Sequence, residues 1–191
     1  MNALTLTELS PAGRIIIHED EVELLSEYEG VHMFYQRGSA VVSELFENQV
    51  SMVTLTNMRL VIFVRTVKGT TAWAINLSTV HEVEDCAKGL LGRSTRIRIC
   101  VNRTIQIEQV KQQLMTDIGL GFDRSGLGLE DKRKLHFLRT MQQALLKRSW
   151  EAMEAHARAE QRRQEALTGG THAGKSISAD EPATINTGKH G

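Results

Sequence analysis

The fold of this chain is decided by the stretch Ser51-Met-Val-Thr-Leu-Thr-Asn-Met-Arg-Leu-Val-Ile-Phe-Val-Arg65. From Val53 to Thr56, apolar side chains alternate with threonines, which is the period-two pattern of a half-buried strand. Residues 60–64 are apolar at every position, so they predict a strand that is covered on both faces. Residues 57–59 leave room for a tight turn. A two-stranded hairpin is only marginally stable in water, so we expect the rest of the chain to pack around it.

Composition limits the class of protein. The chain has 191 residues, enough for one domain with tails, and its formal net charge of +0 gives no overall attraction to nucleic acid. The two cysteines, Cys86 and Cys100, are too few for a disulfide scaffold or a zinc ribbon. We find neither an apolar run of the roughly 18 residues that a membrane span requires nor a signal-peptide pattern. We therefore expect a cytoplasmic protein whose contact with membranes, if any, is peripheral.

Strand patterns continue on both sides of the central hairpin. They cover residues 14–17, 30–35, 72–77, 96–101 and 104–110. Residues 80–83 either extend the strand 72–77 or follow it, so about seven strands are expected. In the stretch 96–101, Ile97, Ile99 and Val101 alternate with Arg96 and Arg98, which places the arginines on one face. Residues 36–49 read as a connector, and residues 102–103 as a turn.

A long helix is predicted from residue 129. Leu135, Leu138, Met141 and Leu145 recur at spacings of three and four, which makes one apolar stripe that Phe137, Ala144 and Leu146 widen. Strands followed by one helix favour an α+β fold, in which the helix covers an open end or face of the sheets.

These patterns divide the chain. Residues 1–13 are expected to be a flexible lead-in, residues 14–151 the folded domain, residues 152–167 a projecting helix extension, and residues 168–191 a disordered polar tail. Glycines 119, 121, 126 and 128 predict that residues 111–128 are an irregular insertion within the domain.

The sequence offers little support for catalysis or for a metal site. Residues 169–176 match the P-loop pattern letter for letter, but a phosphate-binding loop must leave a buried strand and enter a helix, and this one follows a solvated helix. The seven histidines have no metal-ligand spacing. We predict a protein that is not an enzyme and has no cofactor.

The strongest local signal is basic. Residues 88–103 contain Lys88, Arg93, Arg96, Arg98 and Arg103 without an acid, and Gly89 and Gly92 allow the backbone to approach a ligand. Arginine forks match phosphate oxygens two at a time, so this stretch is a candidate phosphoinositide site. The alternative is a solvated strand face whose cations pair with Glu82, Glu84 and Asp85.

Apolar residues near the end of the packed helix form a second candidate surface. Leu145, Leu146 and Trp150 either form an exposed patch for a protein partner or complete the core.

Several short motifs together resemble one family. Leu55-Thr-Asn-Met-Arg-Leu60 is similar to the Leu-Thr-x-x-Arg-Leu signature of GRAM-like and GLUE domains. The other matching pieces, in the family's order, are Gly30-Val-His-Met-Phe-Tyr35, residues 53–63, Ala74-Ile75-x-Leu77-Ser78, Gly89-Leu-Leu-Gly-Arg-Ser-Thr-Arg-Ile97 and Leu146-Lys-Arg-Ser-Trp-Glu151. Between residues 14 and 151 the chain therefore resembles the GLUE domain of the endosomal sorting complex ESCRT-II.

The resemblance carries functional expectations. It implies a pleckstrin-homology-like fold of two packed sheets with a C-terminal helix, and phosphatidylinositol 3-phosphate binding through Arg93 and Arg96, supported by Lys88 and Arg98. It also implies ubiquitin binding, for which Leu146 and Trp150 are the candidates. The implied role, with other ESCRT subunits as partners, is to recruit ubiquitinated cargo on endosomal membranes for sorting into multivesicular bodies. The alternative is a protein-interaction scaffold of the same fold that binds neither ligand.

Overall fold

We analysed the chain as a computed structural model. The structure describes residues 4–28, 30–37, 40–86, 95–107, 110–123 and 129–169, with the backbone alone for residues 103–107, 110–115, 129, 168 and 169. Contacts divide the chain into two units, residues 1–150 and 151–191.

Ten strands form two antiparallel sheets of five. The first sheet has the order β1-β7-β6-β5-β2, and its strands are β1 (Thr5–Thr7), β2 (Glu23–Tyr28), β5 (Val50–Thr56), β6 (Arg59–Thr66) and β7 (Gly69–Asn76). The second has the order β4-β3-β10-β9-β8, and its strands are β3 (Val31–Arg37), β4 (Ala40–Leu45), β8 (Val80–Asp85), β9 (Arg96–Ile107) and β10 (Val110–Phe122). A short 3-10 turn, Leu77–Thr79, joins the first sheet to the second.

The central hairpin is confirmed, and its turn explains the Thr-x-x-Arg pattern. Strands β5 and β6 pair in antiparallel register around a turn at residues 57–58. The Oγ1 of Thr56 accepts hydrogen bonds from the backbone N–H groups of Met58 and Arg59, at 3.1 and 2.9 Å, and donates one to Glu21 Oε1 at 2.7 Å. The threonine hydroxyl thereby satisfies turn donors that would otherwise need water.

The hydrophobic core lies between the sheets and beneath the helix α1 (Leu129–Gly169). Ile97, Ile99 and Val101 of β9 are fully buried there, as the alternation predicted. From α1, the core receives the side chains of Phe137, Leu138, Met141 and Ala144. Two sheets and a C-terminal helix over one core are the α+β, pleckstrin-homology-like arrangement that the sequence predicted.

Polar contacts also anchor α1. Lys134 Nζ lies 2.9 and 3.0 Å from the two carboxylate oxygens of Asp85, and Arg133 Nε lies 2.8 Å from Glu27 Oε2. Lys134 is only 3% exposed, so the ion pair with Asp85 offsets the desolvation of its ammonium group. The helix is thus held to both sheets by charge as well as by packing.

The predicted irregular insertion is wrong for residues 111–122. These residues belong to β10, which pairs with β9 over Val110–Gly121 and with β3 over Asp117–Phe122. Gly119 and Gly121 are not loop residues: a Cβ at either position would collide with the side chain of Gln36 or of Phe34. The glycines therefore make room for neighbours that lie flat on the sheet. Residues 124–128 of the predicted insertion lie outside the described residues.

Other boundaries need correction as well. Ten strands are described where about seven were predicted, and β9 runs through residues 102–103 instead of turning there. Residues 40–45 of the predicted connector form β4. The lead-in is not flexible throughout, because β1 pairs with β7 and Leu4 is 7% exposed in the core. Residues 14–17 supply only a bridge from Ile15 to Leu9.

Strands β9 and β10 extend beyond their neighbours. Pairing of β9 with β8 ends at Val101, and pairing of β10 with β3 begins at Asp117. Among the described strands, residues 102–107 and 110–115 therefore pair only with each other and form a two-stranded ribbon.

The second unit includes the continuation of α1. Residues 151–167 are helical and exposed at every position, consistent with their polar composition. Within the described part of the chain, no helix is long and apolar enough to cross a bilayer. The P-loop-like pattern lies outside the described residues apart from Gly169, the last residue of α1.

Candidate functional site

The candidate basic surface begins at the first residue of β9. Because Ile97 and Ile99 point into the core, Arg96 and Arg98 point to the opposite, outer face of the second sheet. Both arginines are partly exposed. Lys88 and Arg93, the other two predicted ligands of the headgroup, lie outside the described residues.

Arg98 is held by three carboxylates. Its Nη2 lies 2.6 Å from Glu84 Oε2 and 3.2 Å from Glu82 Oε2, and its Nη1 lies 3.3 Å from Asp117 Oδ1. Hydrogen bonding to Glu84, together with the Asp117 charge, raises the pKa of Arg98 against the opposing effect of burial. The alternative prediction of cations paired with Glu82 and Glu84 is thus confirmed for Arg98. For Arg98 to bind a phosphate, it must exchange these partners.

Arg96 has different surroundings. Its guanidinium carbon lies 5.8 Å from the centre of the Phe34 ring, within the range of a cation–π contact. Phe34 reaches this position because Gly121, between them on β10, has no Cβ to block the ring. The contact with the aromatic ring limits the positions of the guanidinium, and an arginine fork can match the oxygens of an oxyanion two at a time.

Buried polar side chains lie beside the two arginines. Gln36 extends over Gly119, and its Nε2 lies 3.4 Å from Cys86 Sγ. Burial raises the pKa of the Cys86 thiol, and burial followed by the hydrogen bond to Asp117 raises the pKa of Cys100 to about 11. Because the thiolate is the nucleophile, neither cysteine is prepared for covalent catalysis.

The guanidinium groups of the arrangement are suited to electrostatic binding of an anion. Within the described ranges, no group of three His, Cys, Asp or Glu side chains is placed to hold a metal ion. The charged groups on the outer face are guanidinium groups and carboxylates that contact one another.

The second predicted site lies on α1. Leu146 and Trp150, the candidates for ubiquitin binding, are 60% and 59% exposed and sit four residues apart on one side of the helix. Leu145, which the sequence grouped with them, is half-buried against the core. The sequence predicted either an exposed patch or residues that complete the core. Leu146 and Trp150 are exposed, whereas Leu145 packs on the core.

Sequence reasoning did not find Phe34 or His32 as part of the surface. His32 Nε2 lies 2.6 Å from Asp123 Oδ1, His32 Nδ1 lies 3.2 Å from Glu44 Oε1, and the imidazole stacks on Phe34. The strand 30–35 was predicted, but its register against β10, which brings Phe34 beneath Arg96, has no signature in a single sequence.

Comparison with solved structures gives a likeness in fold. No family model matches the chain, and no curated protein matches it. Among solved structures, the chain is similar to a Vps36 N-terminal PH domain, with a TM-score of 0.48 and 16% sequence identity over 75% of this chain and 96% of that one.

Proposed function

We propose that this chain is a non-catalytic adaptor domain that binds the phosphorylated headgroup of a phosphoinositide, phosphatidylinositol 3-phosphate, at the start of β9. The observation that carries the proposal is Arg96, whose charged group lies over Phe34 at the outer face of the second sheet. Lys88 and Arg93 precede it in a glycine-containing stretch that brings further cations to the same point in the sequence.

The four predicted ligands take unequal roles in this proposal. Arg93 and Arg96 bind the phosphate, and Lys88 adds charge. Arg98 supports the site from a position fixed by Glu84 and Asp117. Because each basic group near an anionic leaflet contributes about 1 kcal/mol, three cations give weak binding that benefits from multivalent attachment.

Flotation on vesicles containing phosphatidylinositol 3-phosphate tests the lipid site. We expect the wild-type chain to float and the variant Arg93→Ala/Arg96→Ala to remain unbound. A matched control, Arg65→Ala/Lys68→Ala, removes the same charge from exposed positions outside the basic surface and should float normally. Equal flotation of both double variants would remove the proposed site.

A second arm of the proposal is ubiquitin binding at Leu146 and Trp150. Its support is the exposure of two large apolar side chains on the same helix face, since aromatic residues anchor many protein interfaces. Together the two arms describe an adaptor in the cytoplasm that attaches to endosomal membranes and recruits ubiquitinated cargo with other ESCRT subunits.

A ubiquitin titration monitored by amide NMR tests this second arm. We expect shifts around residues 146–150 that Trp150→Ala abolishes and that Val67→Ala, a change at another exposed apolar residue, preserves. If ubiquitin and the lipid both leave the spectrum unchanged, the chain is instead a scaffold of the same fold that binds neither ligand.

A further inference from the structure

The first part of α1 has two chemically distinct sides. The inner side buries Phe137 and Met141 completely. The cations on that side have fixed partners, since Lys134 binds Asp85 and Arg133 binds Glu27. Packing and internal ion pairs thus account for the inner side.

The outer side follows a regular spacing. Lys132, Leu135, Arg139, Leu146 and Trp150 are separated by three, four, seven and four residues, so they line one face of the helix. We call these five residues the basic helix face. Its apolar members are 38%, 60% and 59% exposed, in chain order, which is unusual for three large side chains on one surface.

The charge of this segment has a single sign. Between residues 132 and 150 the chain contains no Asp or Glu, whereas its basic residues are Lys132, Arg133, Lys134, Arg139, Lys147 and Arg148. Acids flank the segment at residues 130, 131 and 151. Lys132 and Arg139 form no ion pair with any acid in the described part of the chain. The basic helix face therefore presents uncompensated positive charge between apolar side chains.

We propose that the basic helix face binds an anionic lipid surface. A helix side that combines Lys and Arg with Leu and Trp matches the interface between headgroups and acyl chains, where tryptophan is enriched. Long basic side chains reach headgroup phosphates while their stems cover apolar surface. Charges on a lipid surface require no fixed pairing geometry, which suits two cations that form no ion pair among the described residues. An acidic protein surface is the competing occupant.

This inference goes beyond the proposed function, because it does not require headgroup binding at Arg96. The basic helix face then supplies a second contact, which depends on lipid charge and not on the phosphoinositide. Because Leu146 and Trp150 belong to both surfaces, a bilayer and ubiquitin exclude each other on one copy of the chain. Membrane attachment through the helix and ubiquitin capture are then alternative states of the domain.

Tryptophan fluorescence of the full chain tests the inference. The chain has two tryptophans, so the variant Trp73→Phe leaves Trp150 as the single reporter. Vesicles of phosphatidylcholine and phosphatidylserine, without phosphoinositide, should shift the Trp150 emission to the blue, and brominated acyl chains should quench it. Phosphatidylcholine vesicles should do neither. In this background, Lys132→Ala/Arg139→Ala should weaken partition by about 30-fold, and Arg65→Ala/Lys68→Ala should leave it unchanged.

Each outcome decides the inference. An unshifted Trp150 emission, or equal partition of the two double variants, overturns it. Binding of polyglutamate without binding of vesicles also overturns it and assigns the face to an acidic protein. The variant Arg96→Ala separates it from the proposed function, since that variant should lose phosphatidylinositol 3-phosphate but keep the phosphatidylserine response. Thermal unfolding confirms that each variant is folded.

Discussion

The carboxylate of Glu21 and the guanidinium of Arg59 form a two-bond ion pair inside the domain. Arg59 Nε lies 2.8 Å from Oε1 and Arg59 Nη2 lies 2.9 Å from Oε2. The Glu21 side chain is 0% exposed and that of Arg59 is 13% exposed. Arg59 also donates to Thr7 Oγ1 at 3.0 Å and to the carbonyl of Ile16 at 2.7 Å. One arginine therefore ties β1 and the segment before β2 to the central hairpin.

Removing either partner should be costly. Because truncation leaves a buried, uncompensated charge, we expect Arg59→Ala or Glu21→Ala to lower the free energy of unfolding by about 3–5 kcal/mol, measured by urea titration. The control is Glu154→Ala, which breaks an exposed pair with Arg158 and should change stability by less than about 0.5 kcal/mol. Similar values for Glu154 and Glu21 variants would contradict this role for the buried pair.

The same carboxylate predicts acid sensitivity. Burial alone raises the pKa of Glu21, but hydrogen bonds from Arg59, Thr56 and the backbone of His18 outweigh it and hold the pKa below its ordinary 4.5. A carboxylate whose pKa is lowered by folding stabilises the folded state, and the effect is complete when the pH is above the pKa of the unfolded chain. This stabilisation is lost as pH falls through the pKa of the folded state. Unfolding measured from pH 6 downward should show a steep loss of stability that Glu21→Gln flattens. An equally steep curve for the variant would contradict this assignment.

His32 predicts the opposite dependence of stability on pH. Burial lowers its pKa, but the contacts with Asp123 and Glu44 outweigh burial and raise the pKa above 6.5. The contribution of His32 to the stability of the folded state is therefore complete when the pH is below the ordinary pKa of histidine. This contribution is lost as pH rises through the pKa of the folded state. An NMR titration of the imidazole should give a raised pKa that Asp123→Asn lowers. Glu47→Gln removes an exposed charge nearby and should have a smaller effect; equal shifts in both variants would exclude specific pairing.

Gly119 should tolerate alanine only when Gln36 is shortened. The added methyl group collides with the buried Gln36 side chain, so Gly119→Ala should destabilise the domain by about 1–3 kcal/mol. In the double variant Gly119→Ala/Gln36→Ala, the clash is absent, and the cycle should show a coupling free energy above about 0.5 kcal/mol. Additive changes in the free energy of unfolding would show that the two residues do not compete for this space.

Cys100 should resist alkylation in the native protein. Its pKa of about 11 leaves roughly one molecule in a thousand as thiolate at pH 8, and the thiol is buried. Iodoacetamide labelling followed by mass spectrometry should therefore proceed only as the protein unfolds. Rapid labelling of the native wild-type chain would refute this.

The sequence predicted those elements whose own residues carry a period. The hairpin of β5 and β6 and the alternation in β9 follow from apolar spacing, because burial of one face imposes that spacing. The spacing also predicted the helix α1, but of its stripe Leu135 and Leu146 are exposed and not buried. Prediction from the sequence failed where the role of a residue depends on a neighbour across the sheet. Gly119 and Gly121 read as loop glycines until the overlying Gln36 and Phe34 are known.

Charges were the hardest to place. Glu21 belongs to a run of acids that reads as a solvated face, yet it is buried by its pairing with Arg59, which comes 38 residues later in the chain. Arg96 and Arg98 were predicted on one face, which is confirmed, but only the sheet register shows that Asp117 and Glu84 hold Arg98. The spacing of residues determines the side of a strand on which a charge lies. Pairing in the folded structure determines whether that charge can bind a ligand.

The ribbon of residues 102–107 and 110–115 has a consequence for how the protein tolerates change. Its two strands hydrogen-bond to each other without a third strand, and a pair of this kind is only marginally stable. Amide protons there should exchange with solvent sooner than those of the five-stranded region, because this part opens without disrupting the core. Sequence inserted between residues 107 and 110, the last pair of the ribbon, would leave both sheets intact, which makes this the position for an epitope tag or a circularly permuted end.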